Sequence, residues 1–127
     1  MDTPFDALEY LYMGTADFAR DLEHYRDVVK AEMVWAFNAH GAKVAAFRVA
    51  AGPLVLIADH RAAPSCMPVF SVRNLESTVN ALRSRGWRPD GDVFEIPNGP
   101  AYRLTDPSGN QIAVFQNDHP NKLELAY

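Results

Sequence analysis

Few side chains in this sequence can do chemistry. Glu9, Tyr10 and Tyr12 sit in one short apolar-aromatic run, and His60 opens a proline-containing segment. Alternate residues of an extended strand share a face, so Tyr10 and Tyr12 point the same way. His60 lies four residues beyond Leu56 and shares its face by the same rule. General acid–base work needs a group whose pKa lies near working pH. A buried Glu9 or His60 meets that need; a tyrosine meets it only with help. His60 with Glu9 or Asp59 is the one combination that offers metal donors, yet a histidine opening such a segment reads as a solvated surface residue. The other histidines are worse placed: His24 in a helical stretch, His40 in a hairpin turn, His119 in the tail. The single cysteine, Cys66, excludes an internal disulfide. It has no helix N-terminus or nearby cation to lower its pKa, so it reads as a small residue at a strand entrance. No Ser-His-Asp set, phosphate-cradling Gly-rich loop or CxxC pair is present.

The composition narrows the function further. Of 127 residues, 48% are hydrophobic and 22% charged, the balance of one soluble globular domain. The formal charge of −4 argues against a nucleic-acid partner, which needs a basic stripe. It suits a cationic small molecule. No apolar run is long enough to cross a bilayer and no basic-apolar signal segment opens the chain, so no membrane partner is expected. A lone cysteine fits a reducing cytoplasm.

Two similar halves must position these residues. Tyr10 answers to Met67, Phe18 to Leu75, Leu22 to Val79, Phe37 to Phe94, Gly52 to Gly109 and Leu56 to Ala113, always 57 residues apart. A constant offset means one supersecondary unit used twice. In the first copy residues 8–13 read as a strand, and 14–17 supply a turn and an N-cap. Phe18, Leu22, Tyr25 and Val29 then fall on one helix face. Residues 31–38, 43–49 and 54–59 read as strands. The second copy repeats this pattern. It has a strand at 68–72, then a helix capped by Asn74, lined by Leu75, Val79 and Leu82 and closed by Gly86. Strands follow at 93–96, 101–105 and 111–116. The turn Asp106-Pro107-Ser108-Gly109-Asn110 joins the last two. Arg48, Arg73, Arg83, Arg85 and Arg88 read as solvated, and Arg103 as facing outward between Tyr102 and Leu104.

The expectation is an α+β domain over residues 1–127. Unit one spans 8–59, the linker 60–66, unit two 67–116 and the tail 117–127. The tandem βαβββ units form a curved mixed sheet around a cleft, with the helices on its other face.

With its helix "FARDLEHYRDVV" and closing turn "DPSGNQIAVFQ", the chain resembles the vicinal oxygen chelate superfamily, the glyoxalase, bleomycin-resistance and extradiol-dioxygenase group. The resemblance covers residues 8–116. It implies a divalent metal held by a His on each unit's first strand and a Glu on a last strand. Those positions fall on Tyr10 and Met67, and on Ala113 with its counterpart Leu56. Leu, Met and Ala supply no hard ligand, so no metal and no cofactor are expected. If these four positions face the cleft, alternation adds Tyr12, Val69, Gln111 and Phe115, along with Leu8, Leu54, Ala58 and Ser71. Trp35 and Phe37 join from the second strand, and His60 from the end of the fourth. That is an apolar, aromatic wall with a few polar handles. The chain is therefore read as a metal-independent binding protein resembling the bleomycin-resistance branch. It would sequester an aromatic or amphipathic ligand as a homodimer. The alternative is a glyoxalase- or dioxygenase-like enzyme (lyase, isomerase or oxygenase) with a non-standard metal site or metal-free acid–base chemistry by Tyr10, Glu9 or His60.

Overall fold

The computed structural model describes residues 3–39, 41–96 and 98–118. His40, His119, Pro97 and the tail from residue 119 onward lie outside them. Strands run β1 Ala7–Gly14, β2 Glu32–Ala39, β3 Ala42–Arg48 and β4 Leu54–Ala58 in the first copy. In the second they run β5 Cys66–Val72, β6 Phe94–Ile96, β7 Gly99–Thr105 and β8 Gln111–Gln116. Helix α1 is Phe18–Glu23, continued by a π turn at His24–Val28, and α2 is Leu75–Ser84. The fold is thus α+β with the βαβββ unit used twice.

Residues 10–66 form one compact unit, and residues 67–118 with 3–9 form the other. Within the first, strand order is β2-β3-β4-β1; within the second it is β6-β7-β8-β5. The ladders agree residue for residue. Tyr12 pairs with Leu56 as Val69 pairs with Ala113, both in parallel. Ala46 pairs with Leu56 as Arg103 pairs with Ala113. Phe37 pairs with Val44 as Phe94 pairs with Ala101. Each match keeps the offset seen in the sequence, so the repeat is structural and carries no register slip.

Local chemistry explains the elements. Asp17 caps α1, accepting from Arg20 N at 3.1 Å. Asn74 caps α2, accepting from Ser77 N at 2.9 Å. In the last turn the Asp106 carboxylate accepts from Ser108 N at 3.0 Å and Asn110 N at 2.8 Å. The Asn110 side-chain amide, donating to the same carboxylate at 3.1 Å, contributes most to holding its pKa below the usual carboxylate value, and the backbone bonds add to it. Gly109 and its counterpart Gly52 both take left-handed φ, 92° and 109°.

Each helix closes one face of its ladder. Ala45, Phe47 and Ile57 are buried under Phe18, Leu22 and Tyr25, with the Tyr25 ring stacked on Phe47 at 5.4 Å. In the second unit Leu75, Val79 and Leu82 bury Val72, Tyr102, Leu104 and Val114. Trp87 fits beside them and donates its indole N–H to the Thr105 carbonyl at 2.7 Å. Arg83 is half-buried rather than solvated, with its guanidinium 5.9 Å from the Tyr102 ring centre.

The copies differ at the helix end. From Asp17 to the left-handed residue Lys30 is one residue longer than from Asn74 to Gly86. The π turn absorbs that extra residue, with Val29 N bonding back to His24 O. The extra residue throws Val29 out of phase, and it is 39% exposed instead of joining Phe18, Leu22 and Tyr25.

Lys30 takes φ 62° where the second copy uses Gly86 at 91°. Lys30→Gly is expected to raise stability by about 0.5–1 kcal/mol by removing a left-handed side-chain cost. Gly86→Ala is expected to lower it by about 1 kcal/mol. Urea denaturation measures both, and equal signs would refute the strain at Lys30.

Candidate functional site

Because each helix covers one face of its ladder, site residues must stand on the other. In the first unit that face carries Tyr10 and Tyr12 from β1, Leu54, Leu56 and Ala58 from β4, Val44 and Ala46 from β3, and Trp35 and Phe37 from β2. These form one cluster. The Tyr10 and Trp35 rings meet edge to face at 6.2 Å. A bulge makes this possible: the β2–β3 register shifts between Met33 and Trp35. The extra residue, Val34, changes the parity of the strand. Met33 then packs under the helix while Trp35 and Phe37 turn to the opposite face.

The polar end of this face is Tyr12. Its hydroxyl lies 2.9 Å from His60 Nε2. The Arg61 guanidinium stands 5.6 Å from the Tyr12 ring centre. Burial pushes the Tyr12 pKa up to about 12; Arg61 opposes the rise and Asp59 adds to it. Gly14 lets the chain return here, because a Cβ at that position would collide with the Ala62 carbonyl. His60 is exposed. The pair therefore joins a half-buried hydroxyl that keeps its proton to an imidazole open to water. Imidazole is the side-chain type that exchanges protons near neutral pH.

In the second unit the equivalent face holds Met67, Val69 and Ser71 on β5, Ala101 and Arg103 on β7, and Gln111, Ala113 and Phe115 on β8. Met67, Val69 and Ala113 are nearly covered and Phe115 is fully covered, while Gln111 is exposed. Ser71 Oγ donates to Glu9 Oε1 at 3.0 Å. Glu9 and His60 thus have separate partners. Among the described residues no group of three His, Cys, Asp or Glu side chains gathers to hold a metal.

The four residues that the sequence resemblance assigns to metal positions, Tyr10, Leu56, Met67 and Ala113, carry one phenol and three side chains without a hard donor. The donor set present does not fit a divalent metal.

Tyr12 and His60 were legible in the sequence only as separate candidates, with Glu9 or Asp59 the expected partner of His60. The missing signal was the parallel register that places Tyr12 beside Leu56. Arg61, which stands over the Tyr12 ring, carried no signal in the sequence. Arg103 does alternate with the buried Tyr102 and Leu104 and is exposed, but the face it reaches is the one shared with Val69 and Ala113.

Residues 7–114 match the family model described as Glyoxalase/Bleomycin resistance protein/Dioxygenase superfamily. No curated protein matches the chain. Solved structures do. A methylmalonyl-CoA epimerase from Mycobacterium tuberculosis superposes with a TM-score of 0.80 at 16% identity, covering 94% of this chain and 93% of that one. A Streptomyces coelicolor methylmalonyl-CoA epimerase variant in complex with 2-nitronate-propionyl-CoA gives 0.73 at 11%, covering 91% and 99%. A hypothetical protein from Bacillus halodurans gives 0.74 at 9%, covering 88% and 94%. At these identities the likeness is one of fold.

A tyrosine held neutral by burial has a pH signature. Below pH 10 both folded and unfolded chains keep the Tyr12 proton. Between 10 and about 12 only the folded chain keeps it, so stability falls as pH rises through that window. The loss is at most roughly 1.4 kcal/mol per pH unit. Tyr12→Phe is expected to remove this part of the alkaline loss, read by denaturation at pH 9 to 12 against the native chain.

Proposed function

The chain belongs to the glyoxalase/bleomycin resistance protein/dioxygenase superfamily, and from that premise we propose that it is an enzyme of the isomerase kind. It would move a proton on a small organic molecule without a divalent metal at the family positions. The observation that carries this reading is the 2.9 Å contact between the Tyr12 hydroxyl and His60 Nε2 at the rim of an aromatic face. The similar solved structures include epimerases, and epimerisation at carbon requires a proton to leave and return.

The pair suits a relay. Burial disfavours a free Tyr12 phenolate, so the hydroxyl is a poor base alone. In the relay Tyr12 Oη accepts the substrate's proton while its own proton passes to His60 Nε2. The products are a substrate anion and a His60 imidazolium, and charge and protons balance. The reverse step returns a proton to the substrate, and His60 equilibrates with water. Arg61, close to the Tyr12 ring, adds positive potential near the developing anion. Trp35, Phe37 and Tyr10 offer flat apolar area for the rest of the molecule.

A second reading keeps the same face for binding alone, as in bleomycin-resistance proteins, with an aromatic or amphipathic ligand. The aromatic cluster of Tyr10, Trp35 and Phe37 favours it. In either reading we propose a homodimer in the cytoplasm. The free, exposed Cys66 fits a reducing compartment. No helix among the described residues is long and apolar enough to cross a membrane.

Deuterium uptake in D2O, followed by mass spectrometry over methylmalonyl-CoA and a set of 2-substituted acyl thioesters and ketones, separates these readings. The expected result is uptake that survives chelator and drops by roughly 10²–10⁴ in His60→Gln and Tyr12→Phe, the usual worth of a general acid–base group. Uptake lost with chelator overturns the metal-free mechanism. Binding with no uptake in any member leaves the sequestering reading. Light scattering is expected to give twice the monomer mass; a monomer would end the dimer proposal.

A further inference from the structure

We infer that Gly14 is a positioning residue for the Tyr12–His60 pair: it leaves clear the space in which the backbone after His60 must lie for the imidazole to reach the hydroxyl. Gly14 stands two residues beyond Tyr12 at the end of β1 and pairs with Ala58. A methyl group on it would lie 2.6 Å from the Ala62 carbonyl carbon and 2.8 Å from the Arg61 carbonyl oxygen. Both neighbours are main chain, so no flexible side chain can step aside. Backbone conformation does not call for glycine here. Gly14 lies outside the left-handed region that Gly41, Gly52, Gly86 and Gly109 occupy.

The repeat supplies an internal comparison. Gly14 pairs with Ala58 as Ser71 pairs with Phe115, 57 residues further on. The second ladder therefore carries a side chain at this place in the same register. The strand tolerates a Cβ, and what excludes one in the first copy is the returning chain.

His60 is held from both sides. Before it, the Asp59 N–H donates to the Lys43 carbonyl at 3.1 Å, and the Lys43 N–H donates to the Asp59 carboxylate at 2.9 Å. After it, Arg61 and Ala62 lie against Gly14. The Gly14 N–H donates to the Ser65 carbonyl at 3.3 Å, and the Ser65 hydroxyl donates to the Ala62 carbonyl at 2.5 Å. The strand end is tied too firmly to yield in their place. Thr15 is 4% exposed, and its N–H donates to the Ala58 carbonyl at 3.0 Å. Its hydroxyl donates to the Asp21 carboxylate and accepts from the Asp17 N–H at 3.2 Å. Ala62, Ala63 and Pro64 are exposed. An added methyl thus displaces the loop and takes His60 and Arg61 away from Tyr12. The effect on catalysis rests on the isomerase reading above; the effect on geometry does not.

The competing role for Gly14 is stability alone. Two variants of the full chain separate these. Gly14→Ala fills the space. Ser65→Ala loosens the loop without adding bulk, and decides the matter if Gly14→Ala does not fold. The first readout needs no substrate: the nuclear Overhauser contact between the Tyr12 and His60 rings, whose centres lie 5.7 Å apart. The native chain is expected to show it, Ser65→Ala to weaken it and Gly14→Ala to lose it, with the amide shifts of β2, β3 and α1 kept. The second readout is deuterium uptake. Gly14→Ala is expected to lower it by roughly 10²-fold, the cost of misplacing a reacting group by about 1 Å. His60→Gln added to Gly14→Ala is expected to cost nothing more, whereas losses at independent sites add. A folded Gly14→Ala that keeps the ring contact overturns the inference, and so do additive losses. If Gly14→Ala does not fold, a native ring contact in Ser65→Ala overturns it. Ring contact without uptake in the native chain refutes the isomerase reading alone, and the contact in the variants still decides the role of Gly14. A native chain without the contact refutes both.

Discussion

The structure depends on one constraint: strand side chains alternate, and each helix can close only one face of its ladder. Parity therefore decides the fate of every strand residue. On β3, Ala45 and Phe47 go to the helix while Val44 and Ala46 go to the other side. On β7, Tyr102 and Leu104 go to the helix while Ala101 and Arg103 do not. The two copies hold the same register through all three of their ladders. The same arithmetic then fills two helix-side cores and leaves each ladder a second face, and those faces are free to diverge. One became aromatic around Tyr10, Tyr12 and Trp35. The other became small and apolar around a single arginine.

The copies break their common pattern at two points, each with a local cause. The bulge at Val34 inserts a residue in β2, and the π turn at His24–Val28 inserts one in the first helix. Both insertions change what faces where. The bulge swings Trp35 and Phe37 onto the face shared with Tyr10. The π turn pushes Val29 into solvent and ends at Lys30 in a conformation that glycine serves in the other copy. Divergence here came from how residues are shared out among helix, loop and strand as well as from residue type.

Much of this was legible in the amino-acid order, for physical reasons. Asp106 to Asn110 could only be a tight turn, because proline fixes φ while Gly and Asn tolerate left-handed backbone. Asn74 marked a helix start by its capping oxygen. The repeat itself showed because both copies must present apolar residues to the same faces at the same spacing. The rest depends on contacts between distant residues. Met33, Val34, Trp35 and Ala36 are all apolar, so no alternation revealed the bulge. Phe18, Leu22, Tyr25 and Val29 fall at plain α-helical spacing, which hid the π turn. The Tyr12–His60 contact joins residues 48 apart in the chain and needs the parallel β1–β4 register. Arg103 looked merely outward because alternation names a face without saying what shares it.

The Val34 bulge has one more consequence, for the behaviour of the protein in a crowded solution. β2 is the terminal strand of its ladder, long and rich in apolar residues. Its outer row of N–H and C=O groups is the kind of template on which a stray strand from another chain can nucleate a fibril. A bulge interrupts that template, since the extra residue bends the strand and puts the row out of step with any regular partner. The residue that aims an aromatic pair at the face opposite the helix also guards the sheet's edge against runaway self-assembly.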